Sequence, residues 1–131
     1  MEHQRILVDT SVLIDHVRKK RKDKTVFFNL SLKYSCLIST ITQFEFLVGA
    51  NPKNVKFIQN LTTKLSVLPF DSKCVAIAVR IFLDLKMKNK LISLPDIFIA
   101  ATAISNNLPL QTLNKKHFSR IENLTFPKPE H

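Results

Sequence analysis

At 131 residues the chain has room for one domain but not comfortably for two, and a hydrophobic content of 45% lets it bury a real core. Twenty Lys and Arg against ten Asp and Glu leave a net charge of +10, which points to a polyanionic partner, either nucleic acid or an acidic protein, or simply to solubility. The single glycine, Gly49, excludes a G-x-G-x-x-G fingerprint and a P-loop, and with them nucleotide binding by a glycine-rich loop.

Glu2, Arg5 and Asp9 interrupt the N-terminal region, so no secretion signal is expected. Ile6, Leu7 and Val8 predict a buried strand ending at Asp9. From Ser11 a helix with Val12, Leu13 and Val17 on one face runs into Arg18, Lys19, Lys20, Arg21 and Lys22. That basic run reads either as a solvated helix end or as a strip that contacts phosphates. Residues 26–32 are helical, and residues 36–38 form a short strand. Ser39, Thr40 or Thr42 then caps a helix with Phe44, Leu47 and Val48 as its buried stripe, which stops at Gly49 with Pro52 beyond.

Val55, Ile58, Leu61 and Leu65 keep helical spacing, and Val67-Leu68 is a third strand closed by Pro69. Asp71 caps a long helix with Val75, Ala78, Val79 and Phe82 on its inner face, and Lys86, Lys88 and Lys90 make a looser basic run. Pro95-Asp96 opens another helix, with Ile97, Ala100, Ala101 and Ile104 as its stripe. That stretch is the most apolar in the chain and is far shorter than the roughly 20 residues a spanning helix needs, so no membrane partner is expected. Residues 110–112 are strand-like, and residues 124–126 form a last short strand before a tail at 127–129. Cys36 and Cys74 are isolated thiols that fit a reducing compartment, the cytoplasm.

Strands alternating with helices argue for an α/β fold, a parallel sheet between helices, over one domain spanning 1–131. The strands are solidly apolar, as when both sheet faces are covered. Ligands in such folds sit at the carboxyl ends of the strands, which is where Asp9 falls.

Asp9 reads either as a cap for the following helix or as a site carboxylate. Glu45, flanked by Phe44 and Phe46, lies near the buried side of its helix, where a carboxylate is costly unless it is paired or binds a cation. Asp96 is either a first-turn acid favoured by the helix dipole or a ligand that the dipole keeps ionised. Together the three would repel one another without a cation. Mg²⁺ answers that need, since it takes oxygen ligands and retains waters. An acidic metal pocket in a basic surface suits cleavage of a phosphodiester, with Lys and Arg holding the backbone.

Ile6-Leu7-Val8-Asp9-Thr10-Ser11-Val12-Leu13-Ile14-Asp15 resembles the opening of PIN domains, especially VapC-type toxins of toxin–antitoxin pairs. The run from Ile38 through Glu45 to Gly49 resembles their E-x-x-x-G helix, and Asp96 to Ala103 their D-x-x-I-A-A-T-A segment. Thr112-Leu113-Asn114-Lys115-Lys116-His117-Phe118 resembles their T-x-N-x-x-D/H-F segment. The four motifs occur in order and cover essentially the whole chain.

The resemblance implies a three-layer α/β/α fold with a mostly parallel sheet of roughly five strands. It implies ligation of Mg²⁺ or Mn²⁺ by Asp9 and Asp96, with Glu45 as a direct or water-mediated ligand and Asn114 as a further catalytic position. Thr10 or Ser11 would support the site. The activity implied is hydrolysis of single-stranded RNA by a homodimer that a cognate antitoxin inhibits. Lys115 and Lys116 join Arg18, Lys19, Lys20, Arg21 and Lys22 as candidate RNA contacts. Many relatives carry Asp just before the Phe of the fourth motif, where this chain has His117, either a site residue or an exposed loop histidine.

Two other functions fit parts of the pattern. A haloacid-type hydrolase with Asp9 as nucleophile usually has a second acid close by, and Thr10-Ser11 supplies none. A catalytically inactive RNA- or protein-binding module would explain the missing fourth acid, although the acids of the first three motifs are present. Asp15 and Asp71 read as surface or cap acids, and Phe27, Phe28, Phe44, Phe46, Phe57 and Phe82 as core or dimer surface.

Overall fold

A computed structural model describes residues 3–128. The far end of the expected tail, at Pro129, and the two extremes of the expected 1–131 domain lie outside the described residues. The apolar triplet Ile6-Leu7-Val8 is the inner half of β1 (Gln4–Val8), and all three are fully buried. β1 pairs in parallel with β2 (Tyr34–Ser39) on one side and β4 (Leu110–Gln111) on the other, and β3 (Ser66–Leu68) adds in parallel to β2. The described sheet therefore has four strands in the order β3-β2-β1-β4.

A fifth strand over residues 124–126 does not form. Leu110 N donates to Thr125 O at 2.9 Å, but Pro127 has no amide with which to extend a ladder, and β4 is itself only two residues long.

Alternation along the strands sends neighbours to opposite faces. Ile6, Val8 and Ile38 meet the layer of α1 (Thr10–Arg18), α2 (Val26–Ser31), α3 (Thr40–Val48) and α4 (Val55–Thr63). Leu7, Leu37 and Leu110 meet the layer of α5 (Ser72–Met87) and α6 (Leu94–Ser105), closed by Phe118 of α7 (Lys115–Phe118). Among the described residues no helix is long and apolar enough to cross a membrane.

Two helices turn a different side inward than their periodicity suggests. α5 buries Cys74, Ala78, Ile81 and Leu85, leaving Val75 and Val79 exposed and Phe82 half-buried. α3 buries Thr42 and Phe46, while Phe44, Leu47 and Val48 face solvent. Leu65 lies past the end of α4, in the turn into β3.

A chain with one glycine also needs another way to end its helices. Asn89 and Asn107 take left-handed backbones (φ 56° and 54°), a conformation Asn tolerates better than most residues. Behind Asn89, Lys90 N donates to Leu85 O and Asn89 N to Lys86 O. Behind Asn107, Leu108 N donates to Ala103 O and Asn107 N to Ile104 O. These are paired Schellman closures. Gly49 keeps a right-handed backbone, and a Cβ there would stand 3.3 Å from Glu45 O, so close approach is its reason.

Candidate functional site

The strands place three hydroxyl or carboxylate residues just past their carboxyl ends or on their last positions: Asp9 after β1, Ser39 at the end of β2 and Thr112 after β4. Ser39 caps α3, accepting from Thr42 N at 3.0 Å. Asp71 caps α5 by accepting from Cys74 N, as its position suggested. Asp9 also caps its helix, with Oδ1 accepting from Val12 N at 3.3 Å. The cap does not exhaust the carboxylate. Oδ1 accepts a second bond from Ser11 Oγ at 2.6 Å, and Oδ2 accepts from Thr112 Oγ1 at 2.5 Å.

Asp9 is only 4% exposed. Burial therefore lifts its carboxyl above the ordinary carboxylate value. Ser11, Thr112 and the Val12 amide pull it back, and the charge of Asp96 adds to the lift. The hydroxyl donors are themselves held in place. Ser11 Oγ accepts from Leu113 N at 3.1 Å, and Thr112 Oγ1 accepts from Asn114 N at 2.9 Å. The segment after β4 is thus stitched to the start of α1 through the same two hydroxyls that grip Asp9.

Asp96 enters from the opposite layer, in the first turn of α6. Ser93 caps that helix and accepts from Asp96 N at 3.4 Å, with Pro95 in the first turn where no amide bond is lost. Asp96 is half-buried, and its carboxyl is also lifted, chiefly by burial, with Ser93 and the imidazole of His117 drawing it down. His117 is therefore not an exposed loop histidine. It sits half-buried in α7, within electrostatic reach of Asp96, and its Nδ1 pairs with Asn114 Nδ2 at 2.8 Å.

Glu45 stands beside this group on α3. Its Oε1 accepts from Thr10 Oγ1 at 2.7 Å, and Thr10 Oγ1 also lies 3.2 Å from the Thr42 hydroxyl. The structure therefore joins Asp9, Ser11, Asp96, Asn114 and His117, and links Glu45 to the start of α1 through Thr10. Thr112 and Thr42 complete the network, although sequence reasoning did not single them out as site residues. The signal for Thr112 was present, since it follows β4 as Asp9 follows β1.

Among the described residues no three His, Cys, Asp or Glu side chains form a cluster able to hold a metal ion by themselves. The donor set nonetheless suits a hard divalent cation. Two carboxylates, both lifted by burial, lie within electrostatic reach of one another, and the Ser11 and Thr112 hydroxyls contact Asp9. Mg²⁺ is commonly held by one or two carboxylates together with substrate phosphates and water, not by an all-protein cage.

The basic run after α1 is partly committed to structure. Lys22 Nζ donates to the carbonyls of His16, Val17 and Lys19 at 2.7–2.8 Å, closing the end of α1. Lys19 pairs with Asp15 at 3.1 Å; Asp15 is neither the surface nor the cap acid its position suggested, since it lies inside α1 with its side chain largely buried and its Oδ2 without a hydrogen bond among the described residues. Arg21 pairs with Asp23 at 3.0 Å. Among the described residues, Arg18 and Lys20 stay exposed without an ion pair. Lys115 lies over the Phe126 ring, and Lys116 is exposed.

A PIN-domain family model matches residues 6–124. The chain is 36% identical over 122 residues to a ribonuclease, VapC1, of Methanocaldococcus jannaschii, covering 92% of this chain and 84% of that protein. Among solved structures, DNA-bound VapBC from Salmonella typhimurium superposes with a TM-score of 0.83 at 26% identity, covering 95% of this chain and 97% of that one. A toxin–antitoxin complex from Klebsiella pneumoniae superposes with a TM-score of 0.72 at 27% identity, covering 95% and 99%.

Proposed function

Because the chain belongs to the PIN-domain family, and within it to the VapC ribonucleases, we propose that it is a divalent-cation-dependent endoribonuclease, the toxin of a toxin–antitoxin pair. The observation that carries this reading is a nearly buried carboxylate, Asp9, set at the end of β1 within electrostatic reach of Asp96. Asp9 and Asp96 would hold Mg²⁺ or Mn²⁺, with Glu45 as a third, direct or water-mediated ligand. Bound there, the cation would neutralise the carboxylates and act as a Lewis acid toward an RNA phosphodiester.

The chain's own residues hold that arrangement ready. Ser11 and Thr112 keep Asp9 oriented and favour its ionised form against burial. Thr10 fixes one oxygen of Glu45, and the Asn114–His117 pair presents polar groups beside Asp96, where many relatives carry a fourth acid. Exposed cations, Lys115 and Lys116 next to Asn114 and Arg18 and Lys20 at the far end of α1, would hold the RNA backbone.

Protein partners are a cognate antitoxin and a second copy of the chain. Apolar surface supports both. Val75, Val79, Leu83 and Met87 form a four-residue-spaced exposed stripe on α5, suited to pairing with itself, and Phe44 and Val48 are exposed on α3. The unpaired thiols of Cys36 and Cys74 are consistent with the cytoplasm.

The test is cleavage of a structured RNA pool by the purified protein with Mg²⁺, with Mn²⁺ and with EDTA, beside an Asp96→Asn variant. Cation-dependent cutting at a few sites, absent from the variant, is expected. RNA binding with no cutting under any condition would overturn the enzyme reading and leave a catalytically inactive binding module.

A further inference from the structure

Thr112 belongs to two environments. Its hydroxyl grips Asp9, and its other side lines an open cleft of about 640 Å³ that runs from β4 along α2 to the start of β2. Four lysines border that cleft: Lys24, Lys33, Lys115 and Lys128. All four are exposed, and they come from four separate parts of the chain. Among the described residues no Asp or Glu lines it. The remaining walls are neutral polar or apolar and include two half-buried rings, Tyr34 and Phe126. The Lys115 ammonium rests 5.1 Å from the centre of the Phe126 ring, which holds that cation at the end of the cleft next to Thr112.

A groove bordered by cations, with aromatic faces in its walls, has the make-up of a site that tracks a single-stranded nucleic acid backbone. An apolar peptide would not need the lysines, and a small anion would not need the length. Resting on the nuclease reading above, we infer that the cleft is the path of the single-stranded RNA substrate leading away from the Asp9–Asp96 pair. Lys24 and Lys128 contact phosphates remote from the bond that is cut, and Lys115 contacts those close to it.

The test uses a Lys24→Ala/Lys128→Ala double variant and, as a charge-matched control on the opposite helix layer, Lys73→Ala/Lys86→Ala. Binding of a labelled single-stranded oligoribonucleotide is measured against KCl concentration in the Asp96→Asn background, and cleavage kinetics in the parent background. Each phosphate contact removed lowers the slope of log K against log salt by about 0.7, so the double variant should lose about 1.4 and the control nothing. In cleavage, KM should rise about tenfold with kcat nearly unchanged, the signature of lost uniform binding. Thermal melting of each variant verifies that the exposed substitutions leave the fold intact.

An unchanged salt slope and KM in the double variant would overturn the inference while leaving the nuclease reading intact. Loss of binding confined to an acidic polypeptide probe, polyglutamate, with RNA binding unaffected, would overturn it as well. Failure of the parent protein to cut any RNA would instead count against the nuclease reading itself.

Discussion

On one side of Thr112 lies a carboxylate that is almost wholly buried and gripped by two hydroxyls and an amide. On the other side lies an open cleft edged by four exposed lysines. The two regions handle charge in opposite ways. At Asp9 water is largely excluded, so ionisation is opposed by burial and depends on every donor placed around the carboxylate. Along the cleft the cations keep their water, so they are cheap to hold individually and act through number and placement. A basic chain with few acids thus buries a charge it must support and leaves exposed the charge it uses in bulk. Changes on the buried side should alter catalytic rate and stability; changes on the exposed side should alter binding and its salt dependence.

The largest break in this comparison is loss of the buried pair. Asp96→Asn, and separately Asp9→Asn, should lower single-turnover RNA cleavage by about 10³-fold, a loss of the size seen when one preorganised electrostatic group is removed from an active site. RNA affinity should change little, because the lysines of the cleft remain. A variant that lost affinity in proportion to rate would show that the two regions are not separable.

The same acids carry a stability signature. Burial lifts both carboxyls, so the folded state retains protons that the unfolded chain has already released. Each ionised carboxylate therefore weakens the fold as pH rises from the ordinary carboxylate value through the lifted one, and the penalty is fully present above both. Without a divalent cation at neutral pH, Asp96→Asn should melt higher than the parent. That advantage should shrink as pH falls toward the ordinary carboxylate range, where the parent's acid is protonated too. Added Mg²⁺ or Mn²⁺ should raise the melting temperature of the parent and shift the variant less. Differential scanning calorimetry across pH, with and without the cation, reads all three effects.

Thr112→Val removes the hydroxyl that both donates to Asp9 and accepts from Asn114 N. It leaves a buried carboxylate oxygen short of a donor, so urea unfolding should show a loss of about 1–3 kcal/mol. Cleavage should fall as well, because the Asp9 orientation and the segment carrying Asn114 and His117 both relax.

How much of this could be read from the sequence depended on whether a residue's neighbours lie close in the chain. Ile6, Leu7 and Val8 announce a strand buried on both faces, and Asp9 then stands at its carboxyl end by simple succession. Ser39 and Asp71 announce caps because the amides they accept from lie three residues on. The inner faces of α3 and α5 were not legible in the same way. α5 carries apolar residues on two sides, at four-residue spacing through Val75, Val79, Leu83 and Met87 and at alternating four- and three-residue spacing through Cys74, Ala78, Ile81 and Leu85. Periodicity identifies both stripes but not which one joins the core with α6, and it is the stripe of the small Ala78 with Ile81 and Leu85 that does. On α3 the apolar residues outnumber the buried positions, and Thr42 takes an inner place that hydrophobicity would have denied it. The commitment of Lys22 to carbonyls of α1 was equally hidden, because it requires the chain to fold back past its own helix end.

The smallest effect should come from Thr10, and it separates the two halves of the acid site from each other. Thr10 Oγ1 donates to Glu45 on α3, whereas Ser11 Oγ and Thr112 Oγ1 donate to Asp9. Thr10→Val removes the first of these bonds, together with the contact to the Thr42 hydroxyl, leaves both bonds to Asp9 in place and nearly preserves the side chain's shape. Glu45 is half-buried, so solvent can replace the lost donor, and the stability change should stay at or below about 1 kcal/mol. Glu45 would then swing more freely, and kcat should fall by a few-fold, about tenfold at most, with KM and the salt slope unchanged. A loss as large as that of Asp96→Asn would mean that Thr10 holds more than Glu45, and that the acids of the two helix layers act as one rigid unit. No loss at all would place Glu45 outside the reacting group and leave Asp9 and Asp96 as the working pair.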